Sequence, residues 1–254
     1  MLDFNCFIGP WPFHPVAAET LEQLQQLHKE NGIEGGYVSS LKSVFYRDFF
    51  CSEEELHAQL KGTNYRQIMT VNPQFPACMD VVRHGIVHWN IAGVRIVPGY
   101  HNYGLTDPAL EPLCSRLEEA GLPLYISVGL EDRRSSYLLL AQPVPQADIQ
   151  AFLTAHPNLT VLIAGASTGD INGLRDSILR HKAAFFDLSG CRHGNELGEL
   201  FGAELSERMV YGSMAGLLCL KSSLLRLEAG EFSQEQTKNS GRGTGFLAKC
   251  PGIQ

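Results

Sequence analysis

His101 lies in Pro98-Gly99-Tyr100-His101-Asn102-Tyr103, a polar and aromatic stretch between two apolar runs. An imidazole titrates near neutrality, so His101 is a candidate general acid or base, with Tyr103 beside it as a substrate contact. The alternative is a loop histidine that bonds the backbone. Asp187, in Phe185-Phe186-Asp187-Leu188-Ser189, is a carboxylate among apolar neighbours, costly to bury unless paired. Such a group could have a raised pKa and act as an acid or base, or it could pair with Arg95. Glu131 begins Glu131-Asp132-Arg133-Arg134, which could bind a polar substrate or supply a catalytic carboxylate. Charge runs in loops also pair among themselves or stay solvated.

Arg95, inside Gly93-Val94-Arg95-Ile96-Val97, must be paired or aimed into a cavity. It could clamp a substrate carboxylate through two parallel hydrogen bonds, or form an ion pair with Asp187 or Glu131. Trp11, in Trp11-Pro12-Phe13-His14, could form one wall of an apolar pocket or a packed cover with no ligand, and the same two readings apply to Tyr46-Arg47-Asp48-Phe49-Phe50. Asn5, Ser127 and Ser213 are polar side chains near the ends of predicted strands, where they could contact a substrate. Neither serine sits in a Gly-x-Ser-x-Gly elbow, so a serine hydrolase is not expected.

The elements that would position these groups alternate along the chain. Predicted strands are Leu2–Ile8, Gly36–Ser39, Gln67–Val71, Gly93–Val97, Leu124–Val128, Leu159–Ala164, Ala184–Leu188 and Met209–Gly212, and helical patterns separate them. Leu21, Leu24 and Leu27 make one stripe of a helix that stops at Asn31-Gly32. Ser52, with Glu55 three residues on, reads as the cap of a helix beginning at Glu53. Eight strand-then-helix units predict an α/β fold, a (β/α)8 TIM barrel, over residues 1–229. A doubly wound sheet is the alternative, but no Gly-rich phosphate fingerprint follows the first strand. The polar, Gly-containing segment 230–254 is expected to be a loosely packed tail. In such a barrel the candidates above fall at the C-terminal ends of strands, where barrel active sites lie. His84 and His88 fall on an outer helix and read as surface histidines. Strict alternation turns Cys6 away from Asn5 and Phe7, toward the helices.

Apolar residues make up 44% of the 254, enough for a sizeable core, and the net charge is −7. With no basic block, nucleic acid and membrane surfaces are not expected partners. The seven cysteines are scattered and lack a Cys-x-x-Cys pair, which suits reduced thiols and a cytoplasmic protein. The expected partner is a small-molecule substrate or ligand, and a homo-oligomer is compatible with the sequence.

Several segments carry a resemblance. Asp3-Phe4-Asn5-Cys6-Phe7-Ile8-Gly9 has the frame Asp-x-His-x-His-x-Gly, with Asn5 and Phe7 in the histidine places. Further matches are Gly93–Pro98, Leu105-Thr106-Asp107-Pro108-Ala109, Gly121–Ile126, His156–Val161, Phe186–Ser189 and Arg208–Ser213. In this order the chain resembles the amidohydrolase-related family, the metal-dependent TIM-barrel hydrolases and decarboxylases that include aminocarboxymuconate semialdehyde decarboxylase. The resemblance implies metal ligands at five positions, which here hold Asn5, Phe7, Ser127, Gly165 and Met214. Phe and Gly cannot ligate, Asn and Ser are weak zinc ligands, and a thioether suits softer metals. The expectation is a barrel with no metal and no cofactor.

Two functions follow. One is metal-independent hydrolysis or decarboxylation of a small carboxylate or lactone by His101, Asp187 and Glu131. The other is a non-catalytic relative that binds a small ligand or partners an active homologue. A rearranged metal site using His14, His101 or Asp187 is a third possibility. An apolar plug at the barrel mouth would favour the non-catalytic function, and an open pocket with His101 and Arg95 converging would favour chemistry.

Overall fold

A computed structural model of the chain describes residues 1–131, 141–192 and 196–253. Eight parallel strands follow one another in sequence order: β1 (Leu2–Ile8), β2 (Gly35–Ser40), β3 (Tyr65–Val71), β4 (Gly93–Ile96), β5 (Leu124–Ser127), β6 (Val161–Ala164), β7 (Ala184–Asp187) and β8 (Met209–Val210). The circle is closed by backbone bonds between β1 and the chain at and after β8. Phe4 N donates to Tyr211 O, Phe7 N to Ala215 O and Met214 N to Asn5 O, at 2.8, 2.8 and 2.7 Å. This is the (β/α)8 barrel expected from the alternation of elements.

Local chemistry sets the helix boundaries. Helix Leu21–Glu30 begins at a capping box in which the Thr20 hydroxyl and the Gln23 side chain each accept the other's backbone N–H. The next long helix departs from expectation. It starts at Phe49, with Asp48 Oδ1 accepting from Phe50 N at 3.1 Å, so Ser52 and Glu53 lie inside it and face the barrel. Buried Glu53 accepts from Ser43 Oγ at 2.6 Å, Gln67 Nε2 at 2.8 Å and Thr70 N at 3.1 Å. Burial pushes its carboxyl up to about 7, against these three donors.

The barrel interior has three levels. At the bottom, Phe4, Tyr37, Tyr125, Leu162, Phe185 and Val210 form one apolar cluster around Phe246. Phe246 belongs to residues 230–254, so the expectation of a loose tail is corrected. That segment folds into helices Gln234–Arg242 and Thr244–Leu247, and the Phe246 ring packs edge-on against Phe4, Tyr125 and Phe185. The middle level is polar and the top is apolar. The register of β1 on β2 shifts between Asp3 and Cys6. Through that irregularity Phe4 joins the bottom cluster while its neighbour Asn5 reaches the polar level, where strict alternation would have turned one of them outward. Cys6 faces the helix layer, as expected, with Leu21 and Leu24 in its cluster.

Candidate functional site

The polar middle level is built on Arg95, which is fully buried. Its Nε donates to Ser39 Oγ at 2.8 Å, Nη1 to Ser127 Oγ at 2.9 Å and Nη2 to Asn5 Oδ1 at 2.8 Å. The guanidinium lies 4.5 Å from the Phe7 ring centre and 5.2 Å from that of Tyr125, a cation between two aromatic faces. Burial lowers its pKa to about 10, with Tyr125 and Asp187 opposing, so it stays protonated at neutral pH. Arg95 and Asp187 do not touch. Asn5 stands between them, its Nδ2 donating to Asp187 Oδ2 at 2.6 Å. Asp187 also accepts from Ser189 Oγ at 2.6 Å, Ser189 N at 3.0 Å and Gly165 N at 3.2 Å. Burial raises its pKa, and these donors oppose the rise.

Above this level the described residues pack over the mouth. Phe7, Trp11, Leu41, Val44, Val97, Leu130, Met214 and Leu217 form an apolar cluster from the ends of five strands and the loops beyond them. Glu131 fixes its aromatic rim, accepting from Trp11 Nε1 at 2.8 Å and Tyr100 Oη at 2.9 Å, with His14 Nε2 at 3.2 Å. Trp11 meets Phe13, Phe45 and Tyr100 at ring-centre distances of 5.1 to 5.7 Å. The aromatic loop is thus a packed cover.

His101 does not converge with Arg95. Its Nε2 is 2.9 Å from Val44 O, and burial lowers its pKa, which favours the neutral ring. Tyr103 packs against the outer core beside His101, and its hydroxyl has no partner. Ser213 is buried at the β1–β8 seam, donating its hydroxyl to Asp3 Oδ2 and accepting from Ala215 N at 2.8 Å. Asp132, Arg133 and Arg134 lie outside the described residues. Ser39, a third partner of Arg95, was missed. The signal was its place at the end of the second strand, level with Asn5 and Ser127.

An opening at this end lies off the axis, a cavity of about 670 Å3 under the loops after β5, β6, β7 and β8. Its walls include Glu131, Asp170, Arg192, Cys219, Ser222 and Arg226. Asp170 accepts from Ser167 Oγ at 2.6 Å and Gln146 Nε2 at 3.1 Å. Arg226 donates to the carbonyls of Leu188 and Ser189 at 2.8 and 2.9 Å and to Ser222 Oγ at 3.0 Å, and burial lowers its pKa. Neither His101 nor Asp187 lines this cavity. Sequence reasoning missed Arg192 and Arg226, because the loop and helix that carry them meet only in the folded barrel.

The five positions at which the resemblance implies metal ligands can be tested against this geometry. Asn5 and Ser127 both hydrogen-bond a cation already present, and the Phe7 ring covers it. Gly165 has φ +73°, and a Cβ there would collide with the Gly129 carbonyl, so a histidine does not fit on this backbone. These residues do not compose a donor set for a divalent cation. Asp3, Cys6 and His28 form a second group, with ligand atoms within 4.8 Å of one another. All three are buried and held by neighbouring groups. Tyr65 Oη meets His28 Nδ1 at 3.0 Å, His28 Nε2 is 3.3 Å from Asp3 Oδ2, Asp3 accepts from Ser213, and Cys6 donates to Tyr37 O at 3.3 Å.

No protein-family model and no curated protein matches the chain. Solved structures do. An uncharacterized TIM-barrel protein from Bordetella bronchiseptica is 16% identical, with a TM-score of 0.73 over 98% of this chain and 99% of that one. A 2,6-dihydroxybenzoate decarboxylase from Rhizobium is 11% identical, with a TM-score of 0.75 over 98% of both chains. A dihydroxybenzoic acid decarboxylase from Polaromonas, solved with bound manganese and the inhibitor 2-nitroresorcinol, is 12% identical, with a TM-score of 0.69 over 97% of this chain and 96% of that one. At these identities the likeness establishes the fold, and it is the TIM-barrel fold that the resemblance in sequence implied.

Proposed function

We propose that this barrel binds a small carboxylate in the off-axis cavity and performs no metal-dependent chemistry on its axis. One observation carries this reading. The Arg95 guanidinium holds Asn5 and Ser127, two positions where the resemblance implies metal ligands, and Phe7 seals it from the mouth. The apolar packing over the mouth favours the non-catalytic of the two functions drawn from the sequence. The cavity wall carries Arg192 and Arg226, whose planar guanidinium groups suit a carboxylate, with Arg226 held in place by the bonds it donates to Leu188 O, Ser189 O and Ser222 Oγ. Two of the structural neighbours are decarboxylases by name, which supports a carboxylate as the ligand class.

The test is calorimetric titration of the purified chain with benzoate and small dicarboxylates, paired with carbon dioxide release assays with and without added Mn2+ or Zn2+. The expected result is saturable binding, weakened about tenfold in Arg226→Gln, with no metal-stimulated turnover. Metal-stimulated decarboxylation would overturn the metal-free axis. Absence of carboxylate binding, or binding indifferent to both Arg226→Gln and Arg192→Gln, would overturn the ligand assignment.

A further inference from the structure

The described histidines divide into two groups. His14, His28, His101, His156 and His181 each have a ring nitrogen in a hydrogen bond or ion pair. Among the described residues His57, His84 and His88 have none, and these three lie together on the outer layer. Their shared location comes from an irregular turn. Helix Cys78–His84 passes into the wider π turn Gly85–Trp89, which ends at Asn90 with φ +49°. Such turns recur at functional sites. This one puts the His84 and His88 ring centres 4.5 Å apart and sets Trp89 against His84 at 4.9 Å and His57 at 5.7 Å. An open depression of about 610 Å3, lined by Glu54, His57, His88 and Trp89 among others, gives solvent access.

From this geometry we infer a surface site for a borderline divalent transition metal, with His84 and His88 as the primary pair and His57 as the third ligand. Two imidazoles binding at about 2.0–2.1 Å in adjacent positions on one ion bring their ring centres to roughly the separation seen here. Ring stacking uses the faces of these side chains and leaves their nitrogens available. His57 joins by rotating its side chain off the face of Trp89, and water completes the coordination. With nitrogen ligands in an open geometry, affinity follows Cu2+ above Ni2+ and Zn2+. The site is independent of the cavity at the barrel mouth and of the function proposed for it.

The experiment is titration of the chelator-treated full chain with NiCl2 alone, at about pH 7.5, by calorimetry and tryptophan fluorescence. Nickel avoids redox chemistry at the neighbouring Cys51 thiol, and Trp89 reports occupancy from within the cluster. The expected result is one saturable equivalent, weakened at least about tenfold by His84→Ala and by His88→Gln. His57→Ala weakens it by about threefold or more. All three side chains are partly or fully exposed, so circular dichroism should show the variants folded. Absence of saturable binding up to about 1 mM, or equal binding by wild type, His84→Ala and His88→Gln, would overturn the site.

Discussion

Asn5 donates its side-chain amide to Asp187 across the barrel, 2.6 Å from Nδ2 to Oδ2, although the two residues are 182 positions apart. The same amide accepts from Arg95 through its oxygen. A neutral side chain thus joins a buried cation to a buried anion, and the whole interior level depends on all three. Replacing Arg95 by Met should leave Asn5, Ser39 and Ser127 short of a partner and Asp187 without its countercharge. We expect a loss of about 3–5 kcal/mol, read as a lower denaturant midpoint. A loss under about 1 kcal/mol would show that the network contributes little.

Glu53 predicts a pH dependence. Its folded pKa of about 7 lies above the ordinary carboxylate value, so the native state binds more protons than the unfolded chain from about pH 4.5 to 7. This group's contribution to stability therefore falls as pH rises through that window. In Glu53→Gln, the slope of unfolding free energy against pH should become more positive between pH 4.5 and 7. The absolute stability of the variant should also drop, because its amide nitrogen would face either Gln67 Nε2 or the pair Ser43 Oγ and Thr70 N, all of them donors. An unchanged slope contradicts the assignment.

At the barrel bottom, Phe246→Ala removes a fully buried ring from contact with Phe4, Tyr125 and Phe185. The expected cost is about 3–5 kcal/mol. A chain truncated after Ser233 should expose apolar surface and bind a hydrophobic dye, where a dispensable tail would leave the barrel intact.

Glu131 is the fastener of the mouth. Glu131→Ala leaves Trp11 Nε1 and Tyr100 Oη unpaired, for about 1–3 kcal/mol. Trp11 should become more exposed, seen as a red shift of emission and faster acrylamide quenching. In a Trp89→Phe background Trp11 is the sole indole, since the chain has two tryptophans.

The barrel was legible because each strand and helix carries its own local signals, as in the stripe of Leu21 and Leu24 and the box of Thr20 and Gln23. The partners of Arg95 were not. They come from β1, β2 and β5, and their meeting depends on the register shift near Asn5, which no local pattern encodes. Glu53 was misread for a related reason. Ser52 and Glu55 imitate a capping box, while the true cap, Asp48, stands four residues earlier. The tail misled through composition. Its many polar and glycine residues hide the one aromatic, Phe246, that matters most to packing.

Phe246 packs edge-on against Phe4, so the first strand and one of the last helices share a single piece of core. During synthesis the opening strand is made long before the ring that completes its environment. The nascent barrel therefore carries an unfilled apolar end until translation has passed residue 246, and interrupted chains present that end to chaperones and proteases. Completeness of the polypeptide is checked by the fold itself.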